Sequence, residues 1–155
     1  MKEQSYTATI KVPATAEEAY AALTTGFDKW WTTPDKVFTK IGDVAKFTFP
    51  PNPGYWVFKA TKLQPFRLVE MQCVEARHIH EGEPEAIKEE WLGTTVRWEI
   101  KAENDGTEIT ITHKGLQPNL LCYKICIAGW DHFFVHSLPA LLSKGIGKPH
   151  IPSQF

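Results

Sequence analysis

The sequence has little of what usually narrows a function. Neither sign of charge is in surplus: 17 Lys+Arg stand against 18 Asp+Glu, a formal net charge of −1. Nucleic-acid binders need extra cations to neutralise phosphates, and polybasic membrane-surface proteins need them too, so both classes are disfavoured. No stretch approaches the ~18–20 consecutive apolar residues of a membrane span, because the longest apolar runs are broken by Lys, Asp or His. No apolar segment follows the opening Met1-Lys2-Glu3-Gln4-Ser5-Tyr6, so a secretory signal is not expected. Cysteine is scarce and odd in number: Cys73, Cys122 and Cys126 have no framework spacing. Reduced thiols in a cytoplasmic protein are the expectation. There is no G-x-S-x-G, no P-loop and no dinucleotide fingerprint, and no cofactor is implied. Nor is there a repeat, a low-complexity tract or a linker. A single domain is expected over residues 1–155, with a core of about 6–142 and a short, loose tail at 143–155.

What is abundant is aromatic side chains. Six Trp, nine Phe and four Tyr make up 12% of the 155 residues. Either these rings fill a core or some of them wall a cavity, and that choice is the functional question.

Their positions follow from the periodicity. Tyr6–Val12 alternates, with Tyr6, Ala8, Ile10 and Val12 on one side, and Pro13 ends the strand. Thr15 stands three residues before Glu18, a capping box that opens an Ala-rich helix stopped near Gly26. Phe27-Asp28-Lys29-Trp30-Trp31 reads as a second short helix or turn. Strands are then expected at Val37–Lys40, Val44–Phe49, Tyr55–Leu63, Arg67–Glu75, Thr94–Ala102 and Thr107–Lys114. Pro50-Pro51-Asn52-Pro53-Gly54 and Asn104-Asp105-Gly106 are turns between them. His78–Gly93 carries Glu81, Glu83, Glu85, Glu89 and Glu90 and reads as a solvated excursion. From Asn119 to Leu142 a helix places Cys122, Cys126, Trp130, Phe133 and Ser137 within roughly 80° of one another. Pro139 lies inside that pattern and should kink or restart it. The class is α+β: a curved antiparallel sheet of six to seven strands, two short helices after the first strand, and one long C-terminal helix covering the apolar face.

Three stretches carry a family resemblance. They are Val12-Pro13-Ala14-Thr15-Ala16-Glu17-Glu18-Ala19-Tyr20, Asp105-Gly106-Thr107-Glu108-Ile109-Thr110-Ile111-Thr112-His113-Lys114-Gly115-Leu116, and Gly129-Trp130 followed by Ser137-Leu138 and Leu141. With Trp30-Trp31 they resemble the START/Bet v 1-like helix-grip superfamily, in its branch related to the activator of Hsp90 ATPase. The resemblance implies a sheet gripping the C-terminal helix, often around a cavity for hydrophobic ligands. It implies little about activity, since a fold hosts sites rather than defining them.

Trp56, Phe58, Met71, Trp98, Ile111, Trp130, Phe133 and Phe134 are expected between sheet and helix, as packed core or as cavity wall. His113 shares a strand face with Ile109 and Ile111 and points inward. It is either satisfied by a neighbouring group or a polar handle for a ligand, with Ser137 as a second handle. Glu70 and Glu99 fall on the outward parity, so an acid–base pair is missing and no catalytic residue is assigned. His132 and His136 have the i, i+4 spacing of a metal pair without its usual glutamate, and are read as a solvated flank with no metal. The leading expectation is a binding protein for a small hydrophobic or aromatic molecule, monomeric or homodimeric. The alternatives are an Hsp90 co-chaperone-like module, using Glu81–Glu90 and exposed aromatics near Trp30 and Trp31, and a cyclase- or hydrolase-like enzyme.

Overall fold

The computed structural model describes residues 5–48, 54–77, 90–118, 120 and 123–150. Its sheet has six antiparallel strands: β1 (Ser5–Val12), β2 (Val44–Thr48), β3 (Tyr55–Gln64), β4 (Leu68–Arg77), β5 (Thr95–Glu103) and β6 (Gly106–Lys114). Their spatial order is β1-β6-β5-β4-β3-β2. Alternation was sufficient to find them because one face is buried and the other is not. Val69, Met71 and Cys73 of β4, Val96, Trp98 and Ile100 of β5, and Ile109, Ile111 and His113 of β6 all face inward and are buried.

The helix α1 (Ala16–Ala22) starts where its capping box requires. Thr15 Oγ1 accepts from the Glu18 amide at 3.0 Å, and Glu18 Oε1 accepts from the Thr15 amide at 3.1 Å. At its other end the Ala22 carbonyl would lack an intrahelical donor. The indole N–H of Trp30 donates to it at 2.7 Å. A 3-10 turn, Phe27–Lys29, links the two.

Val37–Lys40 does not form the seventh strand that alternation allowed. The Asp43 carboxylate accepts the amides of Thr39 at 2.8 Å and Lys40 at 3.0 Å, so those donors are spent on a local loop rather than a ladder. The same amides, Thr39 first, hold the Asp43 carboxyl below its ordinary pKa. The exposed edge of β2 is covered instead by Thr32–Asp35. Lys46 donates its amide to Asp35 Oδ1 at 2.7 Å, Asp35 returns an amide to the Lys46 carbonyl at 3.1 Å, and Thr32 Oγ1 donates to the Thr48 carbonyl at 2.6 Å.

The cover of the inner face is α2 (Tyr123–Lys144), a continuous helix of 22 residues. It is long and apolar enough to cross a membrane by length and composition, more so than the broken runs implied. Here its buried side chains Cys126, Trp130, Phe134, Ser137 and Leu138 lie on the sheet side. Its middle, Asp131–Ser137, is π-helical, between α-helical Tyr123–Trp130 and Leu138–Lys144. That is how Pro139 is accommodated without a break. A proline has no N–H to give and its ring crowds the carbonyl four residues back, and the widened turn relieves both demands.

Residues 145–150 are not a loose tail. Lys148 donates its amide to Ser137 Oγ at 2.7 Å, and His150 donates its amide to the Trp31 carbonyl at 2.7 Å. Gly147 lies so close to the Lys29 carbonyl oxygen that a Cβ would collide with it. The expected features at Pro50–Pro53, Phe49, His78, His80, Glu81–Glu89, Asn119, Cys122 and 151–155 lie outside the described residues.

Candidate functional site

The layer between sheet and α2 is built from rings. Phe27 of the 3-10 turn is edge-on to Phe38 at 5.8 Å and to Phe47 at 5.1 Å. Trp31 stacks on Phe47 at 4.7 Å and tilts against Trp130 at 5.2 Å. Trp130 in turn lies parallel to Trp91 at 6.0 Å, with 10° between the planes. Trp91 meets Trp56 at 5.0 Å and Phe58 at 6.2 Å. Offset and edge contacts of this kind suit the ring quadrupoles, and each adds ~0.5–1.5 kcal/mol beyond simple burial.

One polar network crosses this layer. His113 on β6 is fully buried. The Trp130 indole donates to its Nδ1 at 3.1 Å, and its Nε2 lies 2.9 Å from Thr94 Oγ1. An indole nitrogen can only donate, so Nδ1 must be the unprotonated nitrogen and Nε2 carries the hydrogen. Thr94 Oγ1 therefore accepts from His113 and donates onward to the Trp91 carbonyl, 2.6 Å away. Burial pushes the imidazole pKa down to about 3, so the ring is neutral at physiological pH. Both of its partners are uncharged. The carboxylates nearest in strand order face the other way: Glu70 pairs with Arg97 at 3.6 Å, and Arg97 with Glu99 at 3.7 Å, on the outer face. The acid partner that a cyclase- or hydrolase-like reading requires is therefore not among the described residues around His113.

Of the other sequence-selected residues, Phe58, Met71, Trp98, Ile111 and Phe134 are buried in this layer, while Trp56 and Phe133 are half-buried at its margins. The Trp98 indole N–H finds no acceptor among the described residues, its ring standing edge-on to Trp30 at 6.3 Å and Trp130 at 6.2 Å. Phe133 leans on His132 at 4.7 Å, because the π turn brings Phe134 inward beside it. Ser137 is buried but committed: its hydroxyl donates to the Trp30 carbonyl at 2.6 Å and accepts the Lys148 amide. Cys73 is also inert, since burial raises its thiol pKa to about 12. His136 faces Asp131 at 3.5 Å and His132 lies 3.2 Å from the Lys148 carbonyl. Among the described residues no group of three metal-ligating side chains comes together.

Two readings of the sequence are corrected. Trp30 and Trp31 are buried core residues, not exposed aromatics, because the 3-10 turn and the 145–150 segment fold over them. Trp91, at the end of the acidic excursion, is not solvated: it is buried at the centre of the ring stack. A single tryptophan closing a run of glutamates was the available signal for it.

Residues 13–143 match the family model described as activator of Hsp90 ATPase homolog 1-like protein. Among solved structures, the chain is similar to the Aha1 dimer from Colwellia psychrerythraea. The two share 28% identity over 93% of this chain and 99% of that one, with a TM-score of 0.73. A Mesorhizobium loti protein aligns at 16% identity over 85% of this chain and 92% of its own, with a TM-score of 0.69. DynU16, from the dynemicin biosynthetic locus, aligns at 16% identity over 94% of this chain and 49% of its own, with a TM-score of 0.71. The two at 16% speak to the fold alone. Comparison with curated proteins finds no match.

Proposed function

Because the chain belongs to the activator of Hsp90 ATPase homolog 1-like family, whose fold covers an apolar sheet face with one helix, we propose that it binds a small hydrophobic or aromatic molecule in the sheet–helix layer. The observation that supports this most directly is the character of the layer. It is walled by Trp and Phe rings and crossed by one uncharged network, Trp130–His113–Thr94. Apolar walls with a few convergent polar groups are how small-molecule sites are generally built. With no acid partner for His113 among the described residues, binding rather than catalysis is the reading. On this reading the protein is a soluble, cytoplasmic binding protein. The co-chaperone alternative has lost Trp30 and Trp31 as surface groups.

A thermal-shift panel of flat aromatic compounds tests this. A true ligand at a hundred times its Kd contributes about 2.7 kcal/mol. For a chain of this size that raises Tm by roughly 5–10 °C. Native mass spectrometry of protein purified without organic solvent should show the same molecule as a discrete adduct. A panel with no shift, together with a bare native mass, would remove the proposal.

The relative solved as a dimer supports a second property, that this chain forms homodimers. Sedimentation equilibrium should then return twice the 17.6 kDa chain mass. A single 17.6 kDa species across the micromolar range would reject it.

A further inference from the structure

We infer that the binding slot of this layer is the space filled by Trp91, and that a flat, uncharged, indole-sized aromatic molecule binds by displacing that ring. This deepens the proposed function and rests on it.

Trp91 differs from the rings around it in how it is held. Trp56, Phe58 and Trp98 come from strands and Trp130 from a helix, so their backbones are fixed by ladders or helical bonds. Trp91 comes from a turn, between half-exposed Glu90 and exposed Leu92. Gly93 follows with φ +85°, a left-handed conformation that glycine adopts without strain. The strand-like pairing resumes only after it: Gly93 donates its amide to the Cys73 carbonyl, and Cys73 donates to the Thr94 carbonyl, both at 2.9 Å. The turn itself is closed by the Thr94 amide on the Trp91 carbonyl at 2.9 Å. The ring's own hydrogen bond goes to the Cys126 sulfur at 3.1 Å, a weak acceptor. The indole therefore leaves by side-chain rotation or by opening one surface turn, with no described strand or helix broken.

What remains after it leaves is a shaped slot. Trp56 borders it at 5.0 Å, tilted by 38°, and Trp130 at 6.0 Å, nearly parallel to the displaced plane. The His113 edge stands at 4.5 Å, perpendicular to the plane. Cys126 Sγ, which accepts the Trp91 indole N–H, is placed to accept from a donor on the molecule that replaces it. These walls come from β3, β6 and α2, none of which carries Trp91, so they persist when it moves. Every one of them is uncharged, which sets the ligand class: planar, neutral, about the size of the ring it replaces, with one donor on its rim. A charged group there would be desolvated without a partner.

Self-occupancy has a measurable consequence. A ligand that must expel an intrinsic plug binds more weakly by the fraction of time the slot is open. Indole is the probe. Protein labelled with 5-fluorotryptophan is titrated with it, and the Trp91 resonance is assigned from Trp91→Phe. The Trp91 19F signal should move toward its solvent-exposed position as indole saturates, more than the other five tryptophan signals. Trp91→Ala should bind indole on the order of tenfold more tightly than wild type. If that variant does not fold, Trp91→Leu serves the same comparison. Equal affinity in wild type and variant overturns the inference, as does a Trp91 signal that stays fixed while indole binds. In either case a retained ligand or a thermal shift with another compound would leave the binding function standing. Failure of wild type and variant to bind indole or any compound of the panel would overturn both.

Discussion

Replacing Trp130 with alanine is expected to cost about 4 kcal/mol of stability, at the upper end of what large core truncations produce. The ring touches Trp31 at 5.2 Å, Trp91 at 6.0 Å and Trp98 at 6.2 Å, so its loss opens a void bordered by three other indoles. It also removes the donor on His113 Nδ1. Trp130→Phe separates the two effects. Phenylalanine retains much of the apolar contact but leaves the buried imidazole nitrogen without a partner, a loss of ~1–3 kcal/mol by itself. Urea denaturation of wild type and both variants reads these as shifts in midpoint at constant slope. An alanine variant within about 1 kcal/mol of wild type would show that the layer is not held at this residue.

The second large effect is a loss of stability on mild acidification. Burial holds the folded-state pKa of His113 at about 3, against an unfolded value of 6.5. Between those values the unfolded chain binds a proton that the folded chain refuses, so stability falls as pH falls. This contribution is fully present above pH 6.5 and declines toward pH 3. The slope is about 1.4 kcal/mol per pH unit. Most carboxylates stay ionised down to roughly pH 5, which leaves a clean window worth about 2 kcal/mol. His113→Gln preserves an acceptor for Trp130 and a donor for Thr94 but cannot titrate. Its stability should be nearly flat across that window while wild type drops. Parallel curves for the two proteins would mean that His113 is protonated within the folded state.

Much of the fold was legible because the sheet is wet on one face and dry on the other. That contrast writes a period of two into β4, β5 and β6, and the strand ends fell within about two residues of those expected. His113 was legible as an inward residue for the same reason. Its partners were not, since Thr94 and Trp130 lie 19 and 17 residues away and neither spacing has a local signature. Trp91 was missed because its neighbours in sequence are polar, whereas its burial is decided by Trp56, Cys126 and Trp130 from distant elements. Ser137 was correctly placed on the inner stripe. Its employment by Trp30 and Lys148 depends on the course of residues 145–150, which no periodicity in that Gly- and Pro-containing segment announces.

The π-helical Asp131–Ser137 has one more consequence. An α-helix advances about 100° per residue, so the wide turn acts as a phase shifter between the two halves of α2. Cys126 and Trp130 are clocked to Trp91 and His113 at one end of the sheet. Ser137 and Leu138 are clocked to the Trp30 carbonyl and the core beyond it. The same residues wound as an unbroken α-helix would keep the first appointment and miss the second by about a quarter turn. The wide turn absorbs that surplus residue, so two halves of a sequence that are out of step in α geometry still reach both docking stations on one rod.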